Sequence, residues 1–184
     1  MTDRLPDVLA HIDADIGNSL QRLFRLVEIE SISTDPAYAG ACLQAAEWLA
    51  DALKGIGFEA SVRPTPGHPM VVGHAGGGAG PHVLFYGHYD VQPVDPLDLW
   101  SSPPFQPKVV AAPNGAKQIV GRGTSDDKGQ LMTFVEACRA WKAVTGSLPV
   151  QVSMLFEGEE ESGGHNLVPF MEANKAELAA DLAF

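Results

Sequence analysis

The stretch His82-Val83-Leu84-Phe85-Tyr86-Gly87, residues 82–87, runs directly into His88-Tyr89-Asp90. The first six residues are apolar enough to form a strand buried on both faces, the mark of a sheet with helices on either side. The next three bring an imidazole and a carboxylate to the strand's C-terminal end. In open α/β sheets, ligands bind beyond the carboxyl ends of the strands. This one segment therefore carries both the fold class and the first candidate site.

Working outward, the same texture recurs. Ala60–Arg63 and Met70–His74 read as strands before it, and Pro149–Phe156 as a further buried strand after it. Leu182-Ala183-Phe184 begins another strand. Lys108–Ala112 and Lys117–Val120 flank Pro113-Asn114-Gly115, which predicts a hairpin. Leu9, Ile12, Ile16, Leu20, Leu23 and Val27 recur at steps of three and four, predicting an amphipathic helix over Leu5–Glu28. Cys42, Ala46, Leu49, Leu53 and Ile56 mark a second helix over 39–55, ended by Gly55 and Gly57. Lys128–Val144 is the strongest helical pattern, with Leu131, Phe134, Val135, Cys138 and Trp141 on one face. His165–Lys175 is a shorter helix. Helices alternating with buried strands give an α/β class with a mainly parallel or mixed sheet flanked by helices.

Bulk properties exclude several functions. Lys and Arg total 12 against 23 Asp and Glu, a net charge of −11. Such a surface repels phosphate backbones, which argues against a nucleic-acid partner. No run approaches the roughly 20 apolar residues that span a bilayer. The N-terminus MTDRLPDVLAHIDADIGNSL carries acids throughout and no apolar signal core, so the cytoplasm is the default location. Cys42 and Cys138 lie in apolar helical patterns and form no CxxC pair, so buried thiols are expected and not a disulfide.

Three polar clusters each follow a predicted strand: His88-Tyr89-Asp90, Asp126-Asp127, and Glu157 with Glu159-Glu160-Glu161. A histidine with several carboxylates suits zinc, cobalt or manganese. Histidine alone would suit a general base, and acids alone calcium or magnesium. Residues two apart on an extended segment face the same side, so Asp90 can hold the His88 ring from behind. Each cluster also has a plain structural reading. The first could be a capped strand end, the second a helix N-terminus favoured by its dipole, and the third a solvated acidic loop.

Taken in order, GHYDVQP (87–93), GRGTSDDKG (121–129) and FEGEEESGG (156–164) closely resemble the zinc exopeptidase family. That family includes carnosinase-like dipeptidases, glutamate carboxypeptidase, aminoacylases and succinyl-diaminopimelate desuccinylase. The similarity extends over nearly the whole chain, including the helix leading to SIST and the Trp100–Phe105 segment. It implies that His88 is a ligand of one metal, that Asp126 bridges two metals, and that Glu161 is a ligand of the other. It implies that Asp90 orients the His88 imidazole, that Glu160 is the general base, and that the Asp126–Asp127 peptide bond is cis. Glu157 and Glu159 fall outside the required pair. The metals would be two Zn²⁺ per full-length site, with Co²⁺ or Mn²⁺ as alternatives. The implied reaction is metal-assisted addition of water to an amide, with Glu160 passing the proton to the leaving amine.

By this resemblance, residues 1–184 form the N-terminal portion of a catalytic domain. A second, dimerising domain and the remaining ligands would lie beyond Phe184, and the fragment would be inactive alone. The substrates implied are small peptides, dipeptides foremost, with a homodimer as the implied full-length state. N-acyl amino acid deacylation and a non-catalytic homologue are the alternatives. His11, His68, His74, His82 and His165 match no ligand position, and no histidine is placed to activate Ser125.

Overall fold

The apolar run at 82–87 sits near the middle of a five-stranded sheet, as strand β3 (His82–His88). The computed structural model describes residues 3–184. Strands β1 (Glu59–Arg63) and β2 (Met70–Ala75) precede β3 in the chain. A hairpin of β4 (Lys108–Ala111) and β5 (Lys117–Val120) follows, then β6 (Gln151–Glu157) and β7 (Leu182–Ala183). The sheet order is β1-β2-β6-β3-β7, and the hairpin forms a separate two-stranded sheet. β3 is parallel to both β6 and β7, whereas β1, β2 and β6 pair antiparallel, so the sheet is mixed.

The helices are α1 (Leu5–Val27), α2 (Ala39–Lys54), α3 (Lys128–Thr145) and α4 (Leu167–Ala173). Side chains alternate along β6, so Met154 and Phe156 enter one core while Leu155 enters another. The larger core joins Leu26, Leu49, Leu53, Leu131 and Val135 from α1, α2 and α3. The smaller holds Met70, Val72, Leu84 and Leu178 under Leu167 and Phe170. Cys42 and Cys138 are free and buried, and burial pushes both thiols up to about 12.

Two polar contacts dock α1 on α3. Arg22 donates through Nε to Glu136 Oε1 at 2.8 Å and through Nη2 to Oε2 at 2.5 Å, while the Ser19 hydroxyl adds a third bond at 2.9 Å. Lys128, fully buried, donates through Nζ to Leu26 O at 3.0 Å and Ile29 O at 2.7 Å. Leu26 O lies in the last turn of α1 and Ile29 O just past its end, so Lys128 adds a second donor to each.

The apolar stripe of α1 is used differently from its periodic reading. Val8, Leu23, Leu26 and Val27 are buried, but Leu9 and Ile16 are each 52% exposed. Ile12, Ile16 and Leu20 instead wall an open groove of about 440 Å³ against Ile119 and Met132. Among the described residues, no helix is long and apolar enough to cross a membrane.

Candidate metal centre

The ladder between β3 and β6 ends with His88 opposite Glu157, so the two polar strand tips lie side by side. Tyr89 turns inward, fully buried, and its hydroxyl donates to Pro69 O at 2.6 Å. His88 and Asp90 face the other way, as their spacing requires. His88 Nδ1 lies 3.3 Å from Asp90 Oδ1 and 3.2 Å from the Asp90 carbonyl. The ring is thereby pinned from behind. Its Nε2 points at Asp126 Oδ1, 3.0 Å away, with Glu160 Oε2 at 3.9 Å. Burial opposes charge on this ring, but the Asp90 hydrogen bond and the charges of Asp90, Asp127 and Glu160 outweigh it and lift the imidazole to about 9.

The acidic turn is tied to the same carboxylate. After β6, Gly158 crosses the Tyr89 ring so closely that any Cβ there would overlap it. Glu160–Ser162 then form a 3₁₀ turn, closed by Gly163 and Gly164 at φ 105° and 60°, a left-handed region suited to glycine. Asp90 Oδ2 accepts the Glu161 backbone N–H at 3.0 Å, and Oδ1 accepts that of Glu160 at 3.3 Å. Asp90 is fully buried and thus orients the ring and the turn together. The Glu161 carboxylate accepts from Gln92 Nε2 at 2.7 Å.

Asp126 and Asp127 arrive by another route than the strand-tip pattern suggested. β5, which precedes them, belongs to the separate hairpin and not to the rim of the main sheet. They sit instead at the N-terminus of α3, joined by a cis peptide bond. Asp127 Oδ2 accepts the His88 backbone N–H at 3.1 Å, which seats α3 on the end of β3. Burial raises the Asp127 carboxyl, partly offset by that hydrogen bond and by the His88 charge.

Several contributors carried no sequence signal beyond their polarity. The Ser33 hydroxyl donates to Asp90 Oδ2 at 2.5 Å. His68 Nε2 lies 3.1 Å from Ser33 O, and its backbone N–H donates to Glu159 Oε1 at 3.2 Å. Asn166 Nδ2 holds the other Glu159 oxygen at 2.7 Å. Glu157 is buried, accepts from the Tyr86 hydroxyl, and has its carboxyl raised chiefly by burial. Both extra acids thus serve as internal braces, a role that needs long-range contacts to be seen.

The donors suit a divalent cation. His88 Nε2 and Asp126 Oδ1 stand 3.0 Å apart, near the roughly 3.3 Å between ligands of a tetrahedral zinc ion. Among the described residues, no three His, Cys, Asp or Glu side chains converge closely enough to hold a metal, and Glu161 is turned to Gln92.

The profile of the family described as Peptidase family M20/M25/M40 matches residues 84–184, the span that holds all three clusters. The chain belongs to this family. Among M20 relatives, it is 34% identical over 163 residues to the Cys-Gly metallodipeptidase DUG1 of Candida albicans, covering 80% of this chain and 33% of that protein. It is 38% identical over 101 residues to the succinyl-diaminopimelate desuccinylase of Thioalkalivibrio sulfidiphilus, covering 53% of this chain and 26% of that one. The crystal structure of human carnosine dipeptidase 1 superposes with a TM-score of 0.84 at 28% identity, covering 95% of this chain and 39% of that structure's. The M20 chain thus spans about a third or less of the length of these curated relatives.

Proposed function

We propose that the chain supplies one wall of the active site of a metal-dependent hydrolase that cleaves amide bonds in small peptides, dipeptides foremost. The observation that carries this reading is the arrangement of His88. Its Nδ1 is pinned by Asp90, and its Nε2 is turned to Asp126 at 3.0 Å and Glu160 at 3.9 Å. Family membership and the dipeptidase names among the relatives support it.

In this reading His88, Asp126 and Glu161 would hold two divalent cations, zinc foremost. Bound cations supply Lewis acidity at the amide carbonyl and lower the pKa of water. Glu160, at the exposed start of its turn, takes the proton from the attacking water and returns it to the leaving amine. Asp90 keeps the His88 ring and the two glutamates in fixed relation, which spares the reaction the cost of ordering them. The full-length protein works as a homodimer in the cytoplasm.

The test is Glu160→Gln in the full-length gene product. Metal content by elemental analysis stays at the wild-type level, while dipeptide turnover falls by about 10²–10⁴. Turnover above a few per cent of wild type overturns the role of Glu160, and a wild-type protein that binds no metal overturns the whole reading. A second reading, hydrolysis of N-acyl amino acids, is favoured by the likeness to the desuccinylase. Assaying dipeptides and N-acyl amino acids side by side separates the two.

A further inference from the structure

We propose that Ser33 is a positioning residue for the acid pair and for His88, acting through the carboxylate of Asp90. The inference rests on the metallohydrolase reading above and deepens it.

Asp90 has no exposure to solvent, so its charge depends on the donors around it. Oδ2 takes the Ser33 hydroxyl at 2.5 Å and the Glu161 N–H at 3.0 Å. Oδ1 takes the Glu160 N–H at 3.3 Å and faces His88 Nδ1 at 3.3 Å. Three of these four groups belong to the parts being positioned. Ser33 alone comes from outside them, and its bond is the shortest of the set.

A positioning group must itself be held. Ile32 forms a parallel bridge with Val91, and Val91 N–H donates to Ser31 O at 2.9 Å. The Ser31 hydroxyl donates to Tyr89 O at 2.7 Å. Lys128 Nζ grips Ile29 O just upstream, and the His68 ring meets Ser33 O at 3.1 Å. The Ser33 hydroxyl is therefore a fixed point against which the Asp90 carboxylate plane is set. Only with that plane set do its two oxygens meet two consecutive backbone N–H groups. Without the hydroxyl, Oδ2 keeps a single donor and the carboxylate is free to turn.

The experiment compares wild type, Ser33→Ala and Ser33→Thr in the full-length gene product. Co²⁺ affinity of the metal-free protein is read by chelator competition and the cobalt absorption band. Dipeptide kcat and KM are measured separately, with thermal unfolding as the check on folding. Ser33→Ala weakens Co²⁺ binding and lowers kcat, each by about tenfold, the lower end of the range for groups that support metal ligands. KM stays within about twofold, because the binding surface is unchanged. Ser33→Thr, which keeps the hydroxyl, recovers both to within about threefold. If the alanine variant does not fold, Ser33→Cys, a weaker donor of similar size, takes its place in the same comparison. Wild-type Co²⁺ affinity in Ser33→Ala overturns the proposal. So does a folded Ser33→Thr as impaired as the alanine variant. A wild type that binds Co²⁺ but cleaves no peptide sinks the peptidase reading alone, and the cobalt comparison still decides the role of Ser33.

Discussion

Lys128 Nζ donates to Ile29 O at 2.7 Å and to Leu26 O at 3.0 Å, so the residue after Asp126-Asp127 is bolted to the end of α1. Burial pulls this lysine down to about 7. Even the neutral amine keeps two N–H donors, one for each carbonyl. Lys128→Met preserves most of the volume but takes one donor from each carbonyl, leaving Leu26 O with the Ile29 N–H at 3.3 Å and Ile29 O with the Ser31 N–H at 2.9 Å, and it lowers the unfolding free energy by about 1–3 kcal/mol. Urea unfolding checks this, and a loss below about 0.5 kcal/mol, within the range of neutral surface changes, would show that the bolt is idle.

Asp90→Asn tests the hub of the site. Each carboxylate oxygen accepts one backbone N–H, Oδ1 from Glu160 and Oδ2 from Glu161, so in either orientation the new amide must set its NH₂ against an N–H. The turn and the imidazole lose their common anchor. Zinc affinity by chelator competition drops about 10–100-fold. An unchanged affinity would mean that His88 and Glu161 are placed without Asp90.

The Arg22–Glu136 contact gives an acid dependence. Burial alone would raise Glu136, but the hydrogen bonds from Arg22 and Ser19 outweigh it and hold the carboxyl below its ordinary value. The unfolded chain therefore binds this proton more readily than the folded one. The stabilisation is fully present above the unfolded value of about 4.3 and fades as pH falls through the lower folded value. Glu136→Gln removes about 1–2 kcal/mol near neutral pH and flattens the acid limb of a urea-unfolding series. An acid limb as steep as wild type would contradict the assignment.

Gly67 leaves room for Glu159: a Cβ there would overlap Oε1 of that carboxylate and lie 2.9 Å from Asn166 Nδ2. Gly67→Ala costs about 1–3 kcal/mol through this crowding. In Glu159→Ala, where the obstacle is gone, the same change costs less, so the double-mutant cycle is non-additive. Strict additivity would rule out the steric account.

The elements of the fold were legible because their periods are local. The runs at 82–87 and 149–156 and the stripe of α3 appear as strands and helix with ends shifted by at most two residues. His88 and Asp90 were legible together for the same reason, since their spacing of two forces them onto one side. The braces were not. Ser33 meets Asp90 across 57 residues of chain, and His68 meets Glu159 across 91. No periodicity relates such positions, and serine in a polar loop is common. The route of Asp126 was misread because β5 resembles a strand of the main sheet in composition but pairs only with β4. The α1 stripe marks an amphipathic helix, as found, but period reports an apolar face and not what covers it.

The pairing of His88 with Glu157 at the close of the β3–β6 ladder makes these two strands a ruler whose length is not free to drift. One residue inserted within β6 would flip every side chain beyond it to the opposite face, taking Phe156 out of the larger core and turning Glu157 away from Tyr86, and one inserted within β3 would turn His88 away from Asp126. Variation in length is then confined to connecting segments such as 93–107 and 112–116, where added residues leave the count along the ruler intact.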